Sequence, residues 1–97
     1  MIKKALEFEP DNGAYLDSLG WLYFKQGKSR QAIKELEKAS SLMADAVIYE
    51  HLGEAYLKVG DPESAKLNWR KSLELNPKQD KLNRRLEELD KKNALPR

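Results

Sequence analysis

The side chains that could carry out chemistry in this sequence are few. The chain has no cysteine, which excludes a thiolate nucleophile, a thiolate metal ligand and a disulfide. The single histidine, His51, has no second histidine or cysteine with which to hold a metal. No glycine-rich phosphate loop is present, and the adjacent carboxylates Glu87 and Glu88 lie in a charged stretch that implies no pocket. We therefore expect a protein that is not an enzyme, with no catalytic residue, metal or cofactor.

The composition is that of one small folded domain. Of the 97 residues, 40% are hydrophobic and 35% are charged, a mixture typical of soluble globular proteins. No apolar run approaches the roughly 20 residues that span a bilayer, so we expect a soluble protein without membrane insertion. The opening "MIKKALEFEP" lacks the apolar segment of a signal peptide. These observations leave the compartment open between cytoplasm and periplasm.

Charge is distributed unevenly along the chain. Residues 78–97 contain seven Lys or Arg and four Asp or Glu, a balance of +3, whereas the whole chain is only +2. Nucleic-acid binding through this basic end is one alternative. The interspersed acidic residues dilute the positive field, so we weigh against it.

Helical spacing of apolar residues dominates the sequence. The pattern predicts helices over residues 1–9, 13–26, 29–42, 45–58, 62–76 and 79–92. Gly27 and Gly60 suit the left-handed position that ends many helices. Ser29, Asp45 and Asp61 are expected as N-caps of the helices that follow them.

An unusual feature recurs along the chain with a spacing of 33 residues. Gly20 and Gly53 both fall inside predicted helices, although a mid-helix glycine costs roughly 0.5–1 kcal/mol relative to alanine. Each is followed twelve residues later by an alanine, Ala32 or Ala65. We expect each Gly–Ala pair to face across a helical hairpin where the two backbones approach most closely, so that close packing offsets the cost.

These residues resemble the tetratricopeptide repeat (TPR) family, whose unit of 34 residues carries bulky and small residues at set offsets. The matching positions of the first unit are Leu16, Leu19, Gly20, Tyr23, Ala32, Leu36, Ala39 and Ala44. Those of the second are Tyr49, Leu52, Gly53, Tyr56, Ala65, Trp69, Ser72 and Pro77. The resemblance implies an all-α fold, a right-handed α-solenoid of helix-turn-helix TPR hairpins with a C-terminal capping helix. Ala44 and Ser72 depart from the usual Pro and Ala.

The resemblance also predicts how the chain is divided. One TPR domain spans 1–97, made of the second helix of a truncated repeat (1–10), repeat 1 (13–45), repeat 2 (46–79), a capping helix (80–92) and a flexible tail (93–97). Because repeats bury their faces against neighbours, a half-repeat at the start suggests the C-terminal fragment of a longer array. The alternative is self-association, with the open N-terminal end pairing with another copy.

The family resemblance implies a protein–protein interaction scaffold that binds a partner peptide or helix in its concave groove. The groove positions are Asp17, Ser18, Trp21, Phe24, Glu50, His51, Glu54, Leu57, Lys81, Arg84 and Arg85. The alternative is a structural C-terminal cap of a larger array, whose groove binds nothing.

Individual groove residues have competing interpretations. Trp21 is either a binding hot spot or a packing contact with the adjacent repeat, and we leave both open. His51 is more simply explained as a surface or inter-repeat contact than as a partner contact. The acidic residues form either a wall that prefers a basic or neutral ligand or, as we favour, an ordinary solvated face. Trp69 is expected in the core.

One TPR subtype binds the C-terminal carboxylate of chaperones through Lys and Asn in the groove. In this sequence, Asp17 and Trp21 stand at the positions where that subtype has Lys and Asn, and His51 stands where another Asn is expected. The resemblance therefore argues against chaperone-tail binding.

Overall fold

The computed structural model describes residues 12–94, which form five helices and no strand. The helices are α1 (Gly13–Lys25), α2 (Ser29–Leu42), α3 (Ala46–Lys58), α4 (Pro62–Leu75) and α5 (Asp80–Ala94). The five predicted helices in this range are confirmed to within two residues at each end. The helix predicted over residues 1–9 lies outside the described residues.

The turns inside the two hairpins are built in the same way. Gly27 has φ 82° and Gly60 has φ 84°, a left-handed backbone that suits glycine, so the two predicted helix ends are confirmed. After α1, the N–H of Lys28 donates to the carbonyl of Tyr23 at 2.9 Å, and the N–H of Gly27 donates to the residue after that tyrosine. The same two bonds recur around Gly60, which makes each hairpin turn short and closely defined.

Side-chain caps begin three of the helices. Asp45 and Asp61 accept N–H groups from the first turns of α3 and α4, as predicted, and Asn12 does the same for α1. The predicted cap at Ser29 is wrong. Ser29 is already the first residue of α2, and Lys28 occupies the N-cap position without a side-chain cap bond.

The helices pair into two hairpins, α1 with α2 and α3 with α4. At Gly20 the backbones approach closely, because a Cβ built there would lie 3.2 Å from the carbonyl oxygen of Ala32 and 2.7 Å from Leu36 Cγ. The predicted approach of Gly20 to Ala32 is confirmed. The buried residues of α1, α2 and α3 form one core, made of Leu16, Ala32, Leu36, Ala39, Ile48, Leu52 and Ala55.

The second hairpin uses its glycine differently. The nearest atoms to a Cβ at Gly53 belong to the Trp69 indole, with Cε2 at 2.7 Å and Nε1 and Cδ1 closer still, rather than to Ala65. Trp69 is 1% exposed, as expected for a core residue. An indole is larger than a leucine side chain, so the ring itself occupies the space above Gly53 and becomes its closest neighbour.

The α2–α3 joint between the hairpins includes one strong polar contact. The Tyr56 hydroxyl on α3 donates to a Glu37 carboxylate oxygen on α2 at 2.5 Å. Burial, then this hydrogen bond and the negative charge of Glu37, raise the pKa of Tyr56 to about 12. The neutral phenol is therefore the form that fits the joint.

Helix α5 packs against α4 through a narrow apolar contact and an ionic network. Leu82 is buried, and Asp90 lies 3.2 Å from Lys66 Nζ and 3.4 Å from Arg70 Nη2. Burial acts to lower the pKa of Lys66, but hydrogen bonds to Asp90 and Glu63 outweigh it and raise that pKa. The described part of the molecule is elongated, 50 × 26 × 18 Å, as expected for an all-α helical repeat solenoid.

Candidate functional site

The first helices of the two hairpins, α1 and α3, contact each other and carry most of the predicted groove residues. Asp17 on α1 and His51 on α3 are joined by a hydrogen bond of 2.8 Å between Oδ1 and Nδ1. Both side chains are 17% exposed. Because each lies on the first helix of its hairpin, this contact couples the two repeats, and the interpretation of His51 as an inter-repeat contact is confirmed.

Three aromatic rings stack beside this pair. The Trp21 indole lies 4.0 Å from the His51 ring, centroid to centroid, with 16° between the planes. It also stacks on Phe24, with centroids 4.7 Å apart and 10° between the planes. Trp21 therefore packs against the adjacent repeat, and it stays half-buried, so its accessible part lies beside Phe24 and His51. We call Asp17, Trp21, Phe24 and His51 the aromatic cluster.

A second group of side chains brings α5 onto the same region. Arg85 holds the Glu54 carboxylate with both terminal guanidinium nitrogens, one bond being 3.3 Å from Nη2 to Oε1. The same guanidinium lies over the Trp69 ring, 4.6 Å from its centroid. The Trp69 indole N–H donates to the backbone carbonyl of Glu50 at 3.2 Å. Arg85, Glu54 and Trp69 thus connect the capping helix to both helices of the second hairpin, and we call them the cap clamp.

The other predicted groove residues differ in exposure. Glu50 and Leu57 are half-buried, and Ser18, Lys81 and Arg84 are exposed. Within residues 12–94, neither Lys81 nor Arg84 forms a hydrogen bond or ion pair with the aromatic cluster. Of the basic residues predicted on α5, the structure brings only Arg85 to the region between the hairpins.

The electrostatic character of the region follows from these pairings. Asp17 is paired with His51 and Glu54 with Arg85, so two of the three carboxylates expected to form an acidic wall are bound within the chain. Among the described residues, the Glu50 carboxylate forms no ion pair. The surface therefore presents half-buried rings flanked by internally paired charges.

Two kinds of function find no support in the described residues. No group of three or more His, Cys, Asp or Glu between residues 12 and 94 is arranged to hold a metal ion. Over the same range, every helix is too short or too polar to cross a bilayer.

Sequence comparison finds the same repeat. Family models described as tetratricopeptide repeat match residues 46–79 and 1–34. TPR repeat-containing protein PA4667 of Pseudomonas aeruginosa is 41% identical over 54 residues, which are 56% of this chain and 9% of that protein. The match thus covers about a tenth of that relative's length.

Comparison with solved structures finds similar helical folds. The first TPR of Spaghetti (RPAP3) bound to HSP90 peptide SRMEEVD superposes with a TM-score of 0.91 at 22% identity, covering 97% of this chain and 75% of that one. MamA gives 0.87 at 26% identity, covering 96% and 55%. The N-terminal domain of stress-induced protein-1 (STI-1) from C. elegans gives 0.81 at 25% identity, covering 92% and 76%.

Proposed function

Because this chain belongs to the tetratricopeptide repeat family, we propose that it is a protein–protein interaction module that holds a partner peptide or helix against α1 and α3. The observation that carries the proposal is the aromatic cluster, which lies at the junction of two repeats and remains half-buried. Aromatic side chains that keep accessible area on a rigid helical scaffold are favourable contacts for a partner.

The charges around the cluster indicate what kind of partner suits it. Asp17 and Glu50 add negative charge near the rings, and Arg85 is already engaged by Glu54. A partner rich in carboxylates would have to compete for that arginine. We therefore infer a neutral or basic amphipathic segment whose apolar side chains contact Phe24 and Leu57.

The peptide seen on the RPAP3 repeat does not transfer to this chain. That peptide, SRMEEVD, contains three acidic residues, and at 22% identity the likeness between the two proteins supports the fold alone. Asp17 and Trp21 stand where the chaperone-binding subtype is expected to have Lys and Asn. These two residues favour a partner other than an acidic C-terminal tail.

The proposal is tested by selecting peptides from a random library on the purified chain and retesting them on two variants. Ser18 is an exposed residue of α1 next to Asp17, and Ser18→Arg places a long charged side chain on the groove face. Ser41→Arg makes the same chemical change on an exposed residue of α2 and serves as the control. We expect S18R to abolish binding of the selected peptides and S41R to leave it intact. Equal binding by both variants, or no peptide that binds, refutes the proposal.

A second role, as the structural cap of a repeat array, is supported by the way α5 docks. Leu82 is 3% exposed and Arg85 covers Trp69, so α5 shields part of the second hairpin from solvent. Replacing Leu82 with Asp places a charge at this buried contact. We expect a lower free energy of unfolding, measured by urea denaturation, with peptide binding to α1 retained. An unchanged free energy of unfolding refutes the capping role.

A further inference from the structure

A shallow cleft of about 470 Å³ lies at the turn between α1 and α2. It is bounded by residues 27–31 on one side and by Lys58 and Val59, at the end of α3, on the other. None of its lining residues belongs to the aromatic cluster or the cap clamp. An assignment for this cleft therefore stands independently of the proposed function.

The N-terminus of α2 opens onto this cleft without a cap. Lys28 holds the N-cap position and its side chain makes no cap bond, whereas α1, α3 and α4 are capped by Asn12, Asp45 and Asp61. The first N–H groups of any helix have no acceptor within it. At α2 they are left for an external acceptor, and the helix dipole adds partial positive charge there.

Ser29 supplies a second, independent indication of a ligand. This residue is only 8% exposed and lines the cleft, yet its hydroxyl forms no hydrogen bond with any described residue. Every fully buried side-chain nitrogen or oxygen in the described part of the chain does have a partner. The Ser29 Oγ must therefore keep some access to solvent, and the cleft is the opening beside it. It is a sheltered donor directed into the cleft.

The charge of the cleft is uniformly positive. Lys28, Arg30 and Lys58 line it, and within residues 12–94 none of the three forms an ion pair. No acidic residue is part of the lining. Three cations, a hydroxyl donor and free helical N–H groups together form a site suited to an oxyanion.

We propose that this cleft binds a phosphate group, either as inorganic phosphate or as a small phosphate monoester. The tetrahedral oxyanion would accept bonds from the α2 N–H groups and the Ser29 hydroxyl, while Arg30 and Lys58 neutralise its two charges from opposite sides. A carboxylate has only two oxygens and one charge, and it would leave part of this donor set unused. The recognised chemistry is thus a phosphate dianion.

The test is a titration of the 97-residue chain followed by ¹H–¹⁵N NMR. Sodium phosphate and glycerol phosphate are added in separate arms, each against sodium chloride at matched ionic strength. We expect saturable shifts of the Ser29, Arg30 and Gln31 amides. Saturation by both assigns a free-phosphate site, and saturation by glycerol phosphate alone assigns a phosphate-ester site.

Charge-removing variants give the matched control. Lys58→Gln and Arg30→Gln change exposed residues of the cleft, and Lys38→Gln removes the same charge from an exposed position further along α2. We expect each cleft variant to bind about threefold more weakly, corresponding to one partly screened ionic contact. K38Q should bind like the original chain. The proposal is overturned if neither phosphate compound gives saturable shifts, or if K38Q weakens binding as much as the cleft variants.

Discussion

Replacing Gly53 with alanine should destabilise the second hairpin even though alanine is the better helix former. The gain in helix propensity is about 0.5–1 kcal/mol. Against it, the new Cβ would lie 2.7 Å from Trp69 Cε2 and closer to two other indole atoms. Overpacking of this kind costs about 1–3 kcal/mol.

The indole has little freedom to avoid the clash. Trp69 is 1% exposed, and moving its ring breaks the N–H bond to the Glu50 carbonyl, a further loss of about 1 kcal/mol. The net effect is a decrease of about 2–3 kcal/mol in the free energy of unfolding, a large fraction of the ~5–15 kcal/mol that is usual for small domains.

The assay is equilibrium urea denaturation followed by far-UV circular dichroism. Gly20→Ala provides a graded comparison, because its closest neighbour is the Leu36 side chain at 2.7 Å, which can turn more readily than a hydrogen-bonded indole. We expect a loss of about 1 kcal/mol there. Val47→Ala, at an exposed position of α3, should change little. If G53A proves as stable as the original chain, or more stable, the close approach of α3 and α4 is refuted.

Two further predictions concern the polar contacts between helices. Because the pKa of Tyr56 is raised to about 12 in the folded state, its contribution to stability is complete below its ordinary pKa near 10 and is lost as pH rises toward 12. Glu37→Gln should lower that pKa, and spectrophotometric titration of tyrosinate, with Tyr56→Phe as reference, would show no change if the contact is absent. Arg85→Ala should release Glu54 and uncover Trp69, costing about 1 kcal/mol, and hydrogen exchange should then be faster in α5 than in α1. Uniform exchange in both helices would contradict the cap clamp.

Features set by neighbouring residues could be predicted from the sequence. The left-handed Gly27 and Gly60 and the caps at Asp45 and Asp61 depend on a few adjacent positions, so composition and spacing were sufficient. Ser29 shows the limit of such rules. A serine beside a helix start can be the cap or the first helical residue, and the Gly27 turn places Lys28 at the cap position.

Contacts between distant helices could be predicted only where repetition constrained them. Gly20 and Ala32 form such a pair, because the motif places both at the crossing of one hairpin. The Asp17–His51 bond and the placement of Arg85 over Trp69 join side chains 34 and 16 residues apart, and long polar side chains at such positions have many possible partners. Their pairing depends on the angle between hairpins, which the repeat pattern leaves open. The partner-binding role of the predicted groove residues stays a prediction.

The placement of the two tryptophans gives the molecule a pair of optical reporters. Trp69 is enclosed within the second hairpin beneath Arg85, while Trp21 lies half-buried against a histidine of the next repeat. Trp21→Phe leaves an emission signal from the second hairpin, and Trp69→Phe leaves one from the inter-repeat junction. Fluorescence of the two variants during unfolding would therefore show whether the repeats separate before the last hairpin melts, without any added dye.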